Sequence, residues 1–195
     1  MFLVAGLGNP GSKYRGNRHN VGFMVVEAAA EQQGCGAFKS KFYAEFCLGG
    51  IGEQKVAYLK PTTFMNLSGN AVGAALSFYR LSLADLIVIH DELDLAFGTC
   101  RVKQGGGTAG HKGLRSIVEQ CGGEDFLRIR VGVGKPEGVE VEDYVLSDFS
   151  TSERQKLPDV LDTAVAALRC VIEQGAQEAM NRFNIRNRGG RSPDA

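Results

Sequence analysis

The chain has few of the residues that cross-link or anchor a protein. Its five cysteines, at positions 35, 47, 100, 121 and 170, are an odd number without close spacing, which argues against a disulfide framework and a cysteine-rich zinc site. No run approaches the roughly 20 apolar residues that a membrane-crossing helix needs, and residues 1–6 lack the charged start of a signal peptide. We therefore expect reduced thiols, a cytoplasmic location and no membrane partner.

The chain also has no excess of charge of either sign. It contains 22 basic and 22 acidic side chains, so any anionic partner must be met by a local patch of positive charge. With 195 residues, of which 44% are hydrophobic, the chain can build one sizeable core. We predict a single domain over residues 1–185 and a flexible basic tail over residues 186–195, which holds too few apolar side chains to fold alone.

Short apolar runs alternate with helical patterns along the chain. Strands are predicted at residues 2–6, 85–90, 100–103 and 126–133, with a hairpin at 42–48 and 55–59. Helices are predicted at residues 22–33, 66–79 (capped by Asn66 or Ser68) and 111–120, and a capping box at Ser150 opens a helical region that Pro158 interrupts and that restarts after Gly175. This order predicts a single-domain α/β/α sandwich with a twisted mixed β-sheet flanked by helices.

Only three histidines are present, and two of them suggest acid–base chemistry. His19 lies in a polar stretch before a helix, and Asp91 follows His90 at the end of a buried strand. Imidazole exchanges protons near neutral pH, and a carboxylate can fix its tautomer, so a His19 and Asp91 pair suggests hydrolysis. Taken singly, a loop histidine is more often a bystander and an aspartate can equally cap a turn.

Two asparagines lie where a substrate could bind. Asn9 follows the first strand within residues 6–11 (GLGNPG), at the edge where ligands bind in α/β sheets, although Asn-Pro-Gly also marks a simple turn. The missing third glycine at the required spacing, and Pro10, argue against a dinucleotide site. Asn66 offers a donor and an acceptor to a peptide group, with Phe64 and Met65 as a possible apolar wall, or else it caps a helix.

Positive charge is concentrated beside a glycine run at residues 105–107. Lys103 precedes this run, and alternation places Arg128 and Arg130 on one face of a later strand. Backbone N–H groups before a helix, together with two arginines, can bind phosphates. The simpler interpretation of each cation is a solvated surface.

The combination of motifs closely resembles the bacterial-type peptidyl-tRNA hydrolases, from Val4 to about Asn184. The resemblance rests on residues 6–11 (GLGNPG), Tyr14, residues 18–20 (RHN), 61–69 (PTTFMNLSG), 90–95 (HDELDL) and 110–114 (GHKGL). It implies hydrolysis of the ester between peptide and tRNA, which recycles tRNA from aborted translation. It also implies a partner, the acceptor end and 5′ phosphate of peptidyl-tRNA, with no DNA partner; we expect a monomer.

The same resemblance implies roles for individual residues. His19 would be the general base, Asp91 would hold its basic form, and Asn9 would contact the peptide and the reacting region. The other implied contacts are a cleft lined by Tyr14, Phe64, Met65, Asn66, His111 and Lys112, and a clamp on the 5′ phosphate formed by Lys103 and Arg130. Ester hydrolysis of this kind needs a base, an orienting group and donors for an oxyanion, so we expect no cofactor and no metal.

One position departs from the family pattern, and two alternatives remain. The family most often has asparagine where this chain has Lys112, which can donate but cannot accept a hydrogen bond. The first alternative is a non-catalytic RNA-binding relative of the family, against which the retained Asn9, His19 and Asp91 argue. The second is a zinc hydrolase using His19, His90 and His111. Two observations argue against it: alternation along the strand predicts that His90 points away from the cleft, and the sequence has no HExxH-type spacing.

Overall fold

Seven strands form one sheet in the computed structural model, which describes residues 1–135 and 138–184. The strands are β1 (Phe2–Gly6), β2 (Lys39–Lys41), β3 (Ala44–Ile51), β4 (Gln54–Pro61), β5 (Leu86–Glu92), β6 (Cys100–Gln104) and β7 (Leu127–Gly132). The helices are α1 (Val21–Gln32), α2 (Ser68–Tyr79), α3 (Lys112–Cys121), α4 (Val141–Val145), α5 (Thr151–Gln174) and α6 (Ala176–Phe183). Short 3₁₀ turns lie at Ser12–Tyr14, Arg18–Asn20, Met65–Leu67 and Leu83–Asp85.

The sheet is mixed, as the sequence predicts. Its order is β2-β3-β4-β1-β5-β7-β6. The central pairs β1 with β4, β1 with β5, and β5 with β7 are parallel, whereas the outer pairs β2 with β3, β3 with β4, and β6 with β7 are antiparallel. The carboxyl ends of the central parallel strands therefore meet at one edge of the sheet, where ligands bind in α/β folds.

Helices cover both faces of the sheet and enclose two hydrophobic cores. In β5, Ile87 and Ile89 face the core under α1, α5 and α6, while Leu86 and Val88 face the core under α2 and α3. This alternation is that of a strand buried on both faces. The predicted three-layer α/β/α sandwich is confirmed.

The structure differs from the predicted helices at Pro158 and at the start of α2. Helix α5 continues through Pro158, because the ring lies on the exposed side while Val160, Ala164 and Leu168 beyond it are buried; that burial outweighs the roughly 3 kcal/mol cost of an internal proline. The Ser150 capping box and the restart after Gly175 are confirmed. Neither Asn66 nor Ser68 caps α2. Instead, the backbone N–H of Gly69, in the first turn of α2, donates to Ser116 Oγ of α3 over 3.0 Å.

At two glycines, the backbone at the start of α1 packs directly against the central strands β1 and β5. A Cβ added at Gly22 would lie 2.4 Å from the carbonyl oxygen of Ile89, and one added at Gly6 would lie 2.2 Å from that of Gly22. Only glycine permits this contact, which brings the 3₁₀ turn before α1 to the end of β5. Within the ranges described, no helix combines the length and apolar character needed to cross a membrane. The predicted tail at residues 186–195 lies outside the described residues.

Candidate active site

A cleft of about 960 Å³ lies at the carboxyl edge of the central strands. The residues predicted for catalysis and for the cleft all line it: Asn9, Tyr14, His19, Phe64, Met65, Asn66, Asp91, His111 and Lys112. These residues come from six separate segments of the chain, so the fold assembles the constellation that the motifs predict. Lys103 and Arg130 are not among the lining residues and lie on the neighbouring strands β6 and β7.

Asp91 lies between two histidines at the floor of the cleft. Its Oδ1 is 2.9 Å from His19 Nδ1 and 3.0 Å from His111 Nε2, and its Oδ2 is 3.0 Å from His19 Nδ1. Burial raises the pKa of the Asp91 carboxyl, but the charges and hydrogen bonds of His19 and His111 outweigh burial and leave this pKa below its ordinary value. Asp91 is therefore a carboxylate that orients both rings.

The hydrogen bonds assign the tautomers of both rings. His111 is the N-cap of α3, and its Nδ1 accepts from Gly113 N and Leu114 N over 3.1 and 3.3 Å. Its proton is consequently on Nε2, which donates to Asp91. His19 Nδ1 donates to the same carboxylate, so His19 Nε2 carries the lone pair, and none of the described residues donates to it. This is the arrangement that a general base requires.

Arg18 fixes the turn that carries His19. Its guanidinium is 2.6 Å from Glu153 Oε2, donates to Ser147 Oγ and to the Asp148 carbonyl, and lies 4.4 Å from the centre of the Tyr144 ring. The side chain is buried, so its charge needs these partners. Arg18 thereby ties the His19 turn to the start of α5, a role that the sequence did not predict.

Asn9 is held with its amide group in a defined orientation. Its backbone N–H donates to Asn20 Oδ1, its carbonyl accepts from Asn20 Nδ2, and its Oδ1 accepts from Met65 N, each over 2.9 Å. Because Oδ1 is occupied, the Asn9 Nδ2 hydrogens are the donors available in the cleft. Asn20 was not predicted as a site residue, yet it fixes the Asn9 backbone.

The wall after β4 supplies apolar surface and an exposed amide. Phe64 is 58% exposed and Asn66 is also exposed, whereas Met65 is buried, lines the cleft and uses its backbone N–H in the bond to Asn9 Oδ1. Tyr14 also lines the cleft and is half-buried, with Lys13 Nζ 4.6 Å from its ring centre. The cleft thus offers both apolar contact and a hydrogen-bonding amide.

Lys112 lies across the cleft mouth from α4. Its Nζ is 3.1 Å from Glu142 Oε1, and both side chains are largely exposed. Lys112 therefore belongs to the cleft and is paired with an acidic partner on the opposite wall. Helix α4 and this pair were not predicted.

The predicted cations on β6 and β7 have different environments. Lys103 is exposed and lies opposite Arg128 in the strand register, while Arg130 lies two residues further along β7, on the same face as Arg128. Arg130 Nε donates to Glu92 Oε2 over 2.9 Å. The hypothesis that Arg128 binds phosphate is wrong: its guanidinium is buried and donates to the carbonyls of Gly106 and Gly107, so it holds the glycine loop.

The structure also bears on the zinc alternative, against which the sequence argues. The ligand atoms that lie within 4.8 Å of one another among the described residues are those of His19, Asp91 and His111, so His90 does not join His19 and His111 in a set of metal ligands. The His90 side chain is almost fully buried, and its ring centre lies 5.1 Å from that of His111, while His90 is also among the residues that line the cleft. Burial lowers the pKa of His90 to about 3, which keeps the ring neutral.

An imidazole oriented by a buried carboxylate, with free amide donors in the same cleft, defines a hydrolase on a three-layer α/β fold. The family model described as peptidyl-tRNA hydrolase matches residues 3–191. A peptidyl-tRNA hydrolase from Citrifermentans bemidjiense is 48% identical over 184 residues, covering 94% of this chain and 98% of that protein. One from Sorangium cellulosum is 47% identical over 194 residues, covering 98% of this chain and 87% of that protein.

The fold matches solved structures of the same family. The crystal structure of peptidyl-tRNA hydrolase from Acinetobacter baumannii superposes with a TM-score of 0.88 at 37% identity, covering 94% of each chain. The family model matches nearly the whole chain, and the relative from Citrifermentans bemidjiense aligns with the chain over 98% of its own length. The chain belongs to the peptidyl-tRNA hydrolase family.

Proposed function

We propose that this protein hydrolyses the ester bond that joins the peptide to tRNA in peptidyl-tRNA, with His19 as the general base. The observation that carries the assignment is the contact of Asp91 with His19 Nδ1, which leaves Nε2 of the same ring as the basic atom in the cleft. Membership of the peptidyl-tRNA hydrolase family supports the reaction and its substrate. The physiological result is free tRNA recovered from aborted translation.

The reaction needs one base and one set of donors. His19 Nε2 takes a proton from water as the water oxygen bonds to the ester carbonyl carbon, and the carbonyl oxygen becomes negatively charged. The Asn9 Nδ2 hydrogens are placed to stabilise that charge, because Asn9 Oδ1 is already bonded to Met65 N. When the bond to the ribose oxygen breaks, protonated His19 returns its proton to that oxygen, and the peptide leaves with a free carboxyl group.

Asp91 and His111 support this proton transfer without exchanging protons with substrate. The carboxylate stabilises the positive charge that His19 acquires during the reaction, and its hydrogen bond prevents the ring from turning. His111 donates to the same oxygen from the N-terminus of α3, which fixes the direction of the carboxylate. No step in this sequence requires a metal or a cofactor.

The substrate would bind along the edge of the sheet. Asn66 would hydrogen-bond the peptide backbone, with Tyr14, Phe64 and Met65 against its apolar parts. Lys103 of β6, which is exposed, and Arg130 of β7, which is partly buried and paired with Glu92, would hold the 5′ phosphate at the tRNA acceptor end, since cations on one face of the sheet suit a phosphate group. We propose that the protein acts in the cytoplasm as a monomer.

Turnover separates this function from a non-catalytic RNA-binding relative. Purified protein should release the blocked amino acid from N-acetylaminoacyl-tRNA over many turnovers, and should act far more slowly on free aminoacyl-tRNA. The rate should not change when a chelator is added and Mg²⁺ is restored to maintain the tRNA fold. Binding without turnover would support the RNA-binding alternative, and loss of activity that returns only with Zn²⁺ would support a metal mechanism.

A further inference from the structure

A second hollow lies beside the cleft, on the α2 side of the sheet edge. Its volume is about 410 Å³, and its polar lining comes from Tyr43, Thr63, Asn70 and Gln120. We call the hollow lined by these four residues the distal hollow. Thr63 directly precedes Phe64 of the cleft wall, so the two lining sets meet at adjacent residues of the chain. None of the roles assigned above uses the distal hollow.

The sheet order places the distal hollow opposite the proposed phosphate clamp. Lys103 and Arg130 lie on β6 and β7, and the catalytic pair lies at β1 and β5. Tyr43 precedes β3, and its carbonyl accepts from Thr62 N, just after β4, over 2.8 Å. A substrate whose tRNA end binds at β6 and β7 and whose ester lies at Asp91 therefore extends its peptide toward β4 and β3.

Helix spacing connects the cleft to the distal hollow. Asn66, Asn70 and Gly73 are four and three residues apart, which places them on one face of the turn and helix that follow β4. Seven residues of helix rise about 10 Å. An extended peptide covers that distance with about three residues.

The chemistry of the lining suits a peptide backbone. The side chains are neutral, and the hydrogen bonds of the described residues use neither the Asn70 nor the Gln120 amide. Thr63 Oγ1 is buried and has no partner in the same part of the chain. Amides and hydroxyls can both donate to and accept from peptide groups, whereas a phosphate would call for cations, which this lining lacks.

A strained turn holds Tyr43 beside the distal hollow. Phe42 and Tyr43 link β2 to β3 with φ of 58° and 53°, values that glycine, asparagine and aspartate usually supply in such turns. The Phe42 ring packs 5.4 Å from that of Phe46 and 5.1 Å from that of Phe78, which anchors the turn. Tyr43 is 69% exposed, so the strain is not offset by burial of its own ring.

We propose that the distal hollow binds the peptide of peptidyl-tRNA about three residues beyond the one that contacts Asn66. Asn70 and Gln120 hydrogen-bond its backbone, and the Tyr43 ring packs on a side chain. The site thereby makes hydrolysis faster for longer peptides, and this gain ends once the distal hollow is filled. The inference rests on the proposed placement of the peptide at Asn66.

The test uses one tRNA loaded with N-acetylated peptides of one, three, five and eight residues. In the unaltered protein, kcat/KM should rise with length and level off near five residues. In Asn70→Ala with Gln120→Ala, the five-residue substrate should lose about 5- to 30-fold, the effect of two hydrogen bonds, while the one-residue substrate stays within twofold. Both side chains are exposed on helices, so the variant should fold; Gln155→Ala on α5 is the matched control and should change nothing.

Three outcomes would overturn the inference. The first is equal loss for all lengths, which would mean that the distal hollow contacts the tRNA or supports the fold. The second is no loss at any length while Asn66→Ala slows every substrate, which would place the peptide in the cleft but not in the distal hollow. The third is no effect of Asn66→Ala either, which would show that the underlying placement of the peptide is wrong.

Discussion

His19 Nδ1 and Asp91 Oδ1 lie 2.9 Å apart, and this contact determines which nitrogen of the imidazole is basic. The same oxygen accepts from His111 Nε2 over 3.0 Å, so the carboxylate is held from two sides. His19 is fixed in turn by the packing of Gly22 against β5 and by the ion pair of Arg18 with Glu153. The proposed general base is therefore positioned by the fold before substrate binds.

Asp91→Asn should slow hydrolysis without preventing tRNA binding. The NH₂ group of an asparagine would replace Oδ2, which is 3.0 Å from His19 Nδ1, so two donors would face each other, and the negative charge that stabilises a protonated His19 would be lost. We expect kcat to fall about 10- to 10³-fold, less than for loss of the base itself, with KM changed by less than about threefold. Asp159→Asn, which removes an exposed carboxylate on α5, is the control and should leave both constants unchanged.

The pH profile of the unaltered protein should contain no step from Asp91. Its pKa lies below the ordinary range, so the group stays ionised as the pH falls from 8 to about 4. Loss of activity toward acid should therefore not follow the titration of the Asp91 carboxyl group. An acid limb with two protons, the second titrating as a carboxyl group, would contradict the assignment of Asp91.

His90 should make the protein less stable in acid. Its pKa is about 3 in the folded protein and near 6.5 in the unfolded chain, so unfolding takes up a proton between these values. The stabilising contribution is fully present above pH 6.5 and is lost as the pH falls toward 3, by about 1.4 kcal/mol per unit. His90→Gln should lower stability at pH 7.5 and flatten this decline, as urea unfolding at several pH values would show; equal slopes would refute the prediction.

Replacing Lys103 and Arg130 by alanine should weaken binding of tRNA substrates alone. If they hold the 5′ phosphate, KM for N-acetylaminoacyl-tRNA should rise about 10- to 100-fold and depend less on salt. The same ester on a short 3′ fragment should be hydrolysed normally. Lys55→Ala with Lys156→Ala removes two exposed cations elsewhere and serves as the control. Equal damage to both substrates would indicate a fold defect and count against the clamp.

Lys112→Asn should retain hydrolysis. The lysine pairs with Glu142 between exposed side chains, a contact of about 0–1 kcal/mol, so stability should hardly change. We expect kcat within about threefold, a modest change in KM and a shallower salt dependence, because one cation near the tRNA is removed. Glu142→Gln should shift KM in the opposite direction by freeing the lysine. A collapse of kcat in Lys112→Asn would make the lysine itself catalytic.

The sequence predicted the sheet and most of the cleft because those features depend on local patterns. The strand that ends in Asp91 and the polar segments at Asn9, His19 and Asn66 are legible as short motifs. The two-sided contact of Asp91 depends on a histidine 20 residues away that caps α3, and alternation along β5 alone could not reveal that the His90 ring packs against that same histidine.

Other features depend on contacts with residues that are distant in the sequence, which a local pattern cannot predict. The sequence pattern around Arg128 is also that of a phosphate-binding arginine, but in the structure its guanidinium donates to carbonyl groups of the glycine loop. Helix α5 passes through Pro158 because the residues that pack on the sheet lie beyond it. The Lys112 pair requires α4, whose five residues are too few to produce a periodic signal.

Single-turnover hydrolysis of N-acetylaminoacyl-tRNA by His19→Ala tests the central claim most directly. With enzyme in excess, the rate reports the chemical step, and filter binding of the same tRNA reports affinity. We predict a loss of about 10²- to 10⁴-fold in the single-turnover rate, with affinity within about threefold and an unchanged circular dichroism spectrum. A rate within threefold of the unaltered protein would show that His19 is not the base and would contradict the mechanism.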